Sequence, residues 1–119
     1  MEVRFSNPEQ MNLLGYFLRD LLRTSLSDER RTTIARQLKG SILFNASGMR
    51  STLVFQKDTI EVCSGDGNGA SSQITGDLES LLEVALNGNY LAHLVNGRIK
   101  VRGNLFKLLK LMKLLAVVK

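Results

Sequence analysis

Two hydrophobic periods alternate along the chain. Asn7-Pro8-Glu9-Gln10 carries the marks of a helix start: an Asn cap, Pro at the first helical position and a Gln able to reach back. From there to about Thr24, Met11, Leu14, Phe17, Leu18, Leu21 and Leu22 fall on one face of a helix, with Asn12, Arg19, Asp20 and Arg23 opposite. Ser27 or Asp28 caps a second helix, through Ile34 and Leu38, that stops at Gly40 with Arg36 and Lys39 in its last turn. At Ser41 the period falls to two. Ile42-Leu43-Phe44, Leu53-Val54-Phe55 and Thr59-Ile60-Glu61-Val62-Cys63 predict three antiparallel strands in a meander. After the turn cluster Gly65-Asp66-Gly67-Asn68-Gly69, a fourth strand over residues 71–75 leads to a third helix from Leu78 to Leu86. A short apolar turn from Tyr90 to Val95, a fifth strand from Arg98 to Arg102 and a last helix from Leu105 to about Val118 complete the chain. This order predicts an α+β fold, a five-stranded, mostly antiparallel sheet covered by helices.

At 119 residues there is room for one core. The net charge of +5 is unevenly spread: all 11 acids precede Val84, so the final third is purely basic. That asymmetry points to an anionic partner. The single cysteine, Cys63, excludes an intramolecular disulfide, and the single histidine, His93, leaves too few ligands for a Cys/His zinc cluster. The start of the chain lacks the pattern of a signal peptide, and the apolar run at residues 114–118 is far below the roughly 20 residues of a spanning helix. A cytoplasmic location is expected.

Gly65, Gly67 and Ala70 fit a permissive dinucleotide fingerprint, but a strand-like segment follows where phosphate binding needs a helix N-terminus. A calcium loop from Asp66 fails because Ala70 and Ser71 stand where an oxygen ligand and the turn glycine belong. His93 has no nucleophile motif to serve and reads as a half-buried or rim residue; Cys63 reads as a small core residue. Asp77, Glu79 and Glu83 read as first-turn and solvent-side charges of the third helix. No catalytic residue, metal site or cofactor is expected.

In the last helix Leu105, Leu108, Leu109, Leu111, Met112, Leu115 and Ala116 fill one face and Lys107, Lys110 and Lys113 an opposite arc, among which Phe106, Leu114 and Val117 also project. Apolar residues among lysines suit a lipid, a membrane surface or a second subunit, or else packing on the N-terminal helix. Arg98, Lys100 and Arg102 share one strand face. With few aromatics nearby and no helix-turn-helix or RNA-stacking motif, nucleic acid ranks last among the partners.

The stretch Ile74-Thr75-Gly76-Asp77-Leu78-Glu79-Ser80-Leu81-Leu82, then Leu86-Asn87-Gly88-Asn89, then the run from Asn96 to Leu111 with its strand-to-helix corner at Gly97 to Asn104, resembles the sterol-carrier-protein (type two) lipid-binding domains. The resemblance covers residues 27–119 and leaves residues 1–26 as an additional N-terminal helix packing on the domain. It implies an apolar tunnel for a fatty acid, fatty acyl-CoA, phospholipid or sterol, and so a non-catalytic lipid carrier. Leu78, Leu81, Leu82, Tyr90, Leu94, Leu105, Phe106, Leu108, Leu109 and Met112 would then bind the lipid. Arg98, Lys100, Arg102, Lys107, Lys110 and Lys113 would meet its head group or an anionic membrane. The alternative is a protein-docking or substrate-presenting module, or a homodimer, burying Phe106, Leu114 and Val117.

Overall fold

The computed structural model describes residues 1–6, 8–65, 70, 72–87 and 90–115, with the side chains of 85–87, 90–91 and 105 outside the described set. It begins with a strand that the helix signals obscure. Glu2-Val3-Arg4-Phe5 alternates polar and apolar residues, and β1 (Glu2–Phe5) pairs in parallel with Thr59, Ile60, Glu61 and Val62.

The first α-helix, α1 (Leu13–Ser25), starts later than the Asn7-Pro8 signal suggests: Pro8–Gln10 forms one 3-10 turn, and Asn12 is the cap. Its side-chain oxygen accepts from the Gly15 amide at 2.9 Å, meeting one of the donors that a helix start leaves without a partner. Asn7 itself lies outside the described residues. Asp28 caps α2 (Glu29–Gln37), and the backbone leaves the helix at Leu38 before Gly40, whose φ of +91° is left-handed.

The meander forms as expected, with β2 (Gly40–Ala46) antiparallel to β3 (Met49–Phe55) and β3 to β4 (Thr59–Ser64). Beyond it, β5 (Ser72–Gly76) lies parallel to β2, and β6 (Ile99–Arg102) antiparallel to β5. Among the described residues the sheet is therefore mixed and six-stranded, in the order β1-β4-β3-β2-β5-β6. The fold class stands, with one strand more than expected. Between β5 and β6 run α3 (Leu78–Asn87) and α4 (Tyr90–Val95), the latter a short helix where a turn is expected. The last helix is α5 (Leu105–Leu115); residues 116–119, and with them Ala116 and Val117, lie outside the described set.

Cross-strand register places Val3, Ile60, Leu53, Phe55, Ile42, Phe44, Ile74 and Ile99 on one face of the sheet. That face is closed by α1 through Leu14, Leu18 and Leu22, and by α5 through Leu108, Leu111 and Met112, all fully or almost fully buried. Each such side chain contributes about 1.5–3 kcal/mol of transfer free energy on burial, and this layer dominates the stability of the domain.

Candidate functional site

Between the sheet and its helices lies an apolar seam. It is walled by Phe17, Leu18 and Leu21 of α1, Phe44 of β2, Ile74 of β5, Leu81 and Val84 of α3, and Met112 and Leu115 of α5. The space left between them is ≈ 10 Å³, at the lower limit for one water molecule, so the seam is closed in this conformation. Among the described residues no polar side chain lines it. An apolar chain could enter only by parting helices from the sheet, since pockets that hold small ligands run to about 300–1,000 Å³.

A second feature is an open cleft of ≈ 670 Å³ where α2 meets β2 and where β3 turns into β4. Leu38 and Phe55, both buried members of the main core, line it together with Arg36, Lys39, Gln56, Lys57 and Asp58. The register of the β2–β3 hairpin creates this meeting, because Gly40 is paired with Phe55. Three cations face one acid, and Asp58 lies 3.9 Å from Arg36. Two more cations approach from α5: Lys107 Nζ donates to the Lys39 carbonyl, and Lys110 Nζ donates to Gln37 Oε1 at 3.3 Å. Both ammonium groups thus sit at the C-terminal end of α2, where free carbonyls and the helix dipole favour a positive charge. Partial burial of its ammonium holds Lys107 below the ordinary lysine value. A side chain at position 40 would crowd that ammonium, which lies 3.1 Å from where a Cβ would stand.

The residues picked out from sequence for lipid contact divide. Leu81 and Met112 wall the seam; Leu108 is fully buried beside it, and Leu78 and Leu94 are half-buried against the core. Leu109 is half-buried on α5. Leu82 is 43% exposed and Phe106 79% exposed, so neither lines the closed seam. The side chains of Tyr90 and Leu105 lie outside the described residues. Phe17, Leu18, Leu21, Phe44, Ile74, Val84 and Leu115 complete the seam without having been singled out for it.

The six cations divide too. Lys107 and Lys110 turn toward the end of α2, Lys113 is exposed on α5, Arg98 is exposed just before β6, and Lys100 and Arg102 are exposed on β6. Leu114, expected on the lysine arc, is fully buried: α5 packs against α1 and α2 as well as α3 and β6. Buried Ser25 of α1 donates its hydroxyl to the Leu114 carbonyl at that contact.

His93 is buried rather than half-exposed, and its Nε2 lies 3.0 Å from Glu83 Oε2, which joins α4 to α3. Glu83 is therefore half-buried beside a partner instead of a purely solvent-side charge. Cys63 is half-buried. Asp77 accepts from the Ser80 amide at 3.0 Å, and hydrogen bonding by Ser80 holds its carboxyl below the usual carboxylate range. No helix among the described residues is long and apolar enough to cross a membrane.

The model of the SCP-2 sterol transfer family matches residues 18–116. Comparison with curated protein sequences gave no match. Among solved structures, a ubiquinone synthesis protein titled UbiJ-SCP2 is similar with a TM-score of 0.63 at 19% identity, covering 87% of this chain and 86% of its own. The apo form of sterol carrier protein 2 from Yarrowia lipolytica has a TM-score of 0.60 at 20% identity, with 87% of each chain covered. Domain 2 of the sterol carrier protein of Helicoverpa armigera has a TM-score of 0.66 at 15% identity, covering 89% of this chain and 93% of that one. At these identities the likeness is one of fold.

Proposed function

The chain belongs to the SCP-2 sterol transfer family, and from that premise we propose that it is a non-catalytic carrier of a lipid with one apolar tail and an anionic head. The observation that carries this reading is the juxtaposition of two environments on one core. The seam of Phe17, Phe44, Leu81, Met112 and their neighbours is wholly apolar, and Leu38 and Phe55, part of that same core, line the cleft with Arg36, Lys39 and Lys57. A tail gains about 0.8 kcal/mol per methylene buried in the seam, whereas the cations act on the head. Such a carrier selects by chain and charge more than by detailed shape, so fatty acids and acyl-CoA are the ligand classes to try first.

Lipid extraction of the purified protein followed by mass spectrometry, with titration of a fluorescent fatty acid alongside, tests the reading. We expect co-purified single-chain lipid, or uptake at about one molecule per chain, and weaker binding of the fatty alcohol of equal length. An empty protein that also fails to take up the fatty acid overturns it. A docking or substrate-presenting role is the second reading, and the exposure of Val95 and Phe106, which precede and follow β6 in the chain, favours it.

A further inference from the structure

We infer that the free edge of β6 is a docking site for an extended acidic segment of another protein, whose residues alternate between apolar and acidic. β6 ends the sheet and pairs only with β5, so one row of its backbone amides and carbonyls has no strand partner among the described residues. Beside it runs a shallow cleft of ≈ 570 Å³ lined by Leu94 and Val95 of α4, Gly97, and Ile99, Lys100 and Val101. Val95 is 86% exposed there. On the outer face Lys100 and Arg102 stand opposite Thr75 and Gln73, neither of them acidic, and residues 84–119 contain no carboxylate side chain.

These features select among occupants. A second copy adding its own β6 antiparallel would bring Lys100 and Arg102 against the same cations, and like charges across a strand pair are unfavourable. A lipid surface offers no ladder of donors and acceptors to the free edge. An added strand with alternating residues satisfies all three parts at once: its backbone completes the ladder, its apolar side chains meet Leu94, Val95 and Val101, and its carboxylates meet Lys100 and Arg102. The site is separate from the seam and the cleft at α2, so it stands or falls independently of the lipid reading.

The test is titration of the isotope-labelled full chain with the peptide Val-Glu-Val-Asp-Val-Glu-Val, its lysine counterpart and a scrambled control, followed by amide shifts. We expect shifts confined to residues 94–102 with the acidic alternating peptide. Affinity should fall about 10-fold in Lys100→Glu/Arg102→Glu, the size of two partly exposed ion pairs, and that variant should gain binding to the lysine peptide. Val95→Asp, which keeps both cations, should also weaken the acidic peptide. Shifts that avoid β6, equal binding of the scrambled peptide, or no response to either variant would overturn the inference. So would binding of anionic phosphatidylglycerol vesicles through these residues with no binding of the acidic peptide.

Discussion

Shortening one wall of the seam separates its two roles, as core and as lipid site. Leu81 is 7% exposed and walls the seam from α3. Leu81→Ala removes three buried carbons, about 2.5 kcal/mol of transfer free energy, and leaves a cavity the neighbours fill only in part, for a total near 3 kcal/mol. At about 4 °C per kcal/mol for a domain of this size, the midpoint should drop by roughly 12 °C. A single-chain lipid at about 100 times its Kd stabilises the folded state by about 2.7 kcal/mol. Wild type must part its helices to admit the tail, whereas Leu81→Ala already holds part of the space, so lipid should raise the variant's midpoint by more. Val84→Phe does the reverse: overpacking costs about 1–3 kcal/mol and leaves no room for the tail. The assay is thermal unfolding by circular dichroism across a lipid series at fixed protein concentration. An equal gap between wild type and Leu81→Ala with and without lipid, together with a full lipid response in Val84→Phe, would remove the seam as the tail site.

Three further outcomes test particular contacts. Leu114→Asp buries an unpaired charge and should prevent folding, whereas Phe106→Asp on the exposed side of α5 should leave the unfolding free energy from denaturant titration within about 0.5 kcal/mol of wild type; equal effects would contradict the packing of α1 on α5. Because burial lowers the folded-state value of Lys107 below 10.5, the folded protein releases that proton first as the solution turns alkaline. Wild type should therefore gain stability relative to Lys107→Met between the lowered value and 10.5, and parallel pH profiles would refute the partial burial of that ammonium. Asp77 has the same sign, from hydrogen bonding rather than from burial. Its folded-state value lies below 3.8, so the stability it supplies is complete above 3.8 and is lost as pH falls through the lower value. Acid unfolding curves of Asp77→Asn should have a flatter slope in that range.

Local signals carried much of the fold. The apolar face of α1, the Asp28 cap, the stop before Gly40 and the meander all depend on neighbours a few residues apart, and period and cap residues record such neighbours. β1 is four residues long and its partner strand starts at Thr59, so its brief polar-apolar alternation is too short a signal beside the helix start that follows. The parallel pairing of β5 with β2 is equally non-local. Leu114 looks like a surface residue on a helical wheel because a wheel does not know that α1 and α2 cover two more sides of α5. Phe17, Leu18, Leu21, Phe44 and Ile74 of the seam were legible as apolar but not as a site, since α1 and the sheet read as ordinary core. The cleft at α2 did have a signal. A tight turn at Ser47-Gly48, counted back along both strands, sets Gly40 against Phe55 and brings residues 36–39 to residues 56–58.

The parallel pairing of β1 with β4 also fixes the order in which the chain can close. During synthesis β1 emerges first, yet its partner lies far down the chain; the Arg4–Glu61 contact across the pair spans 57 positions. The meander of β2, β3 and β4 closes small loops and can form early, while β1 and α1, whose partners lie in that meander, add to it by closing longer loops. The roof of the seam is thus among the late-closing parts of the molecule, and lifting it unmakes none of the hairpins beneath.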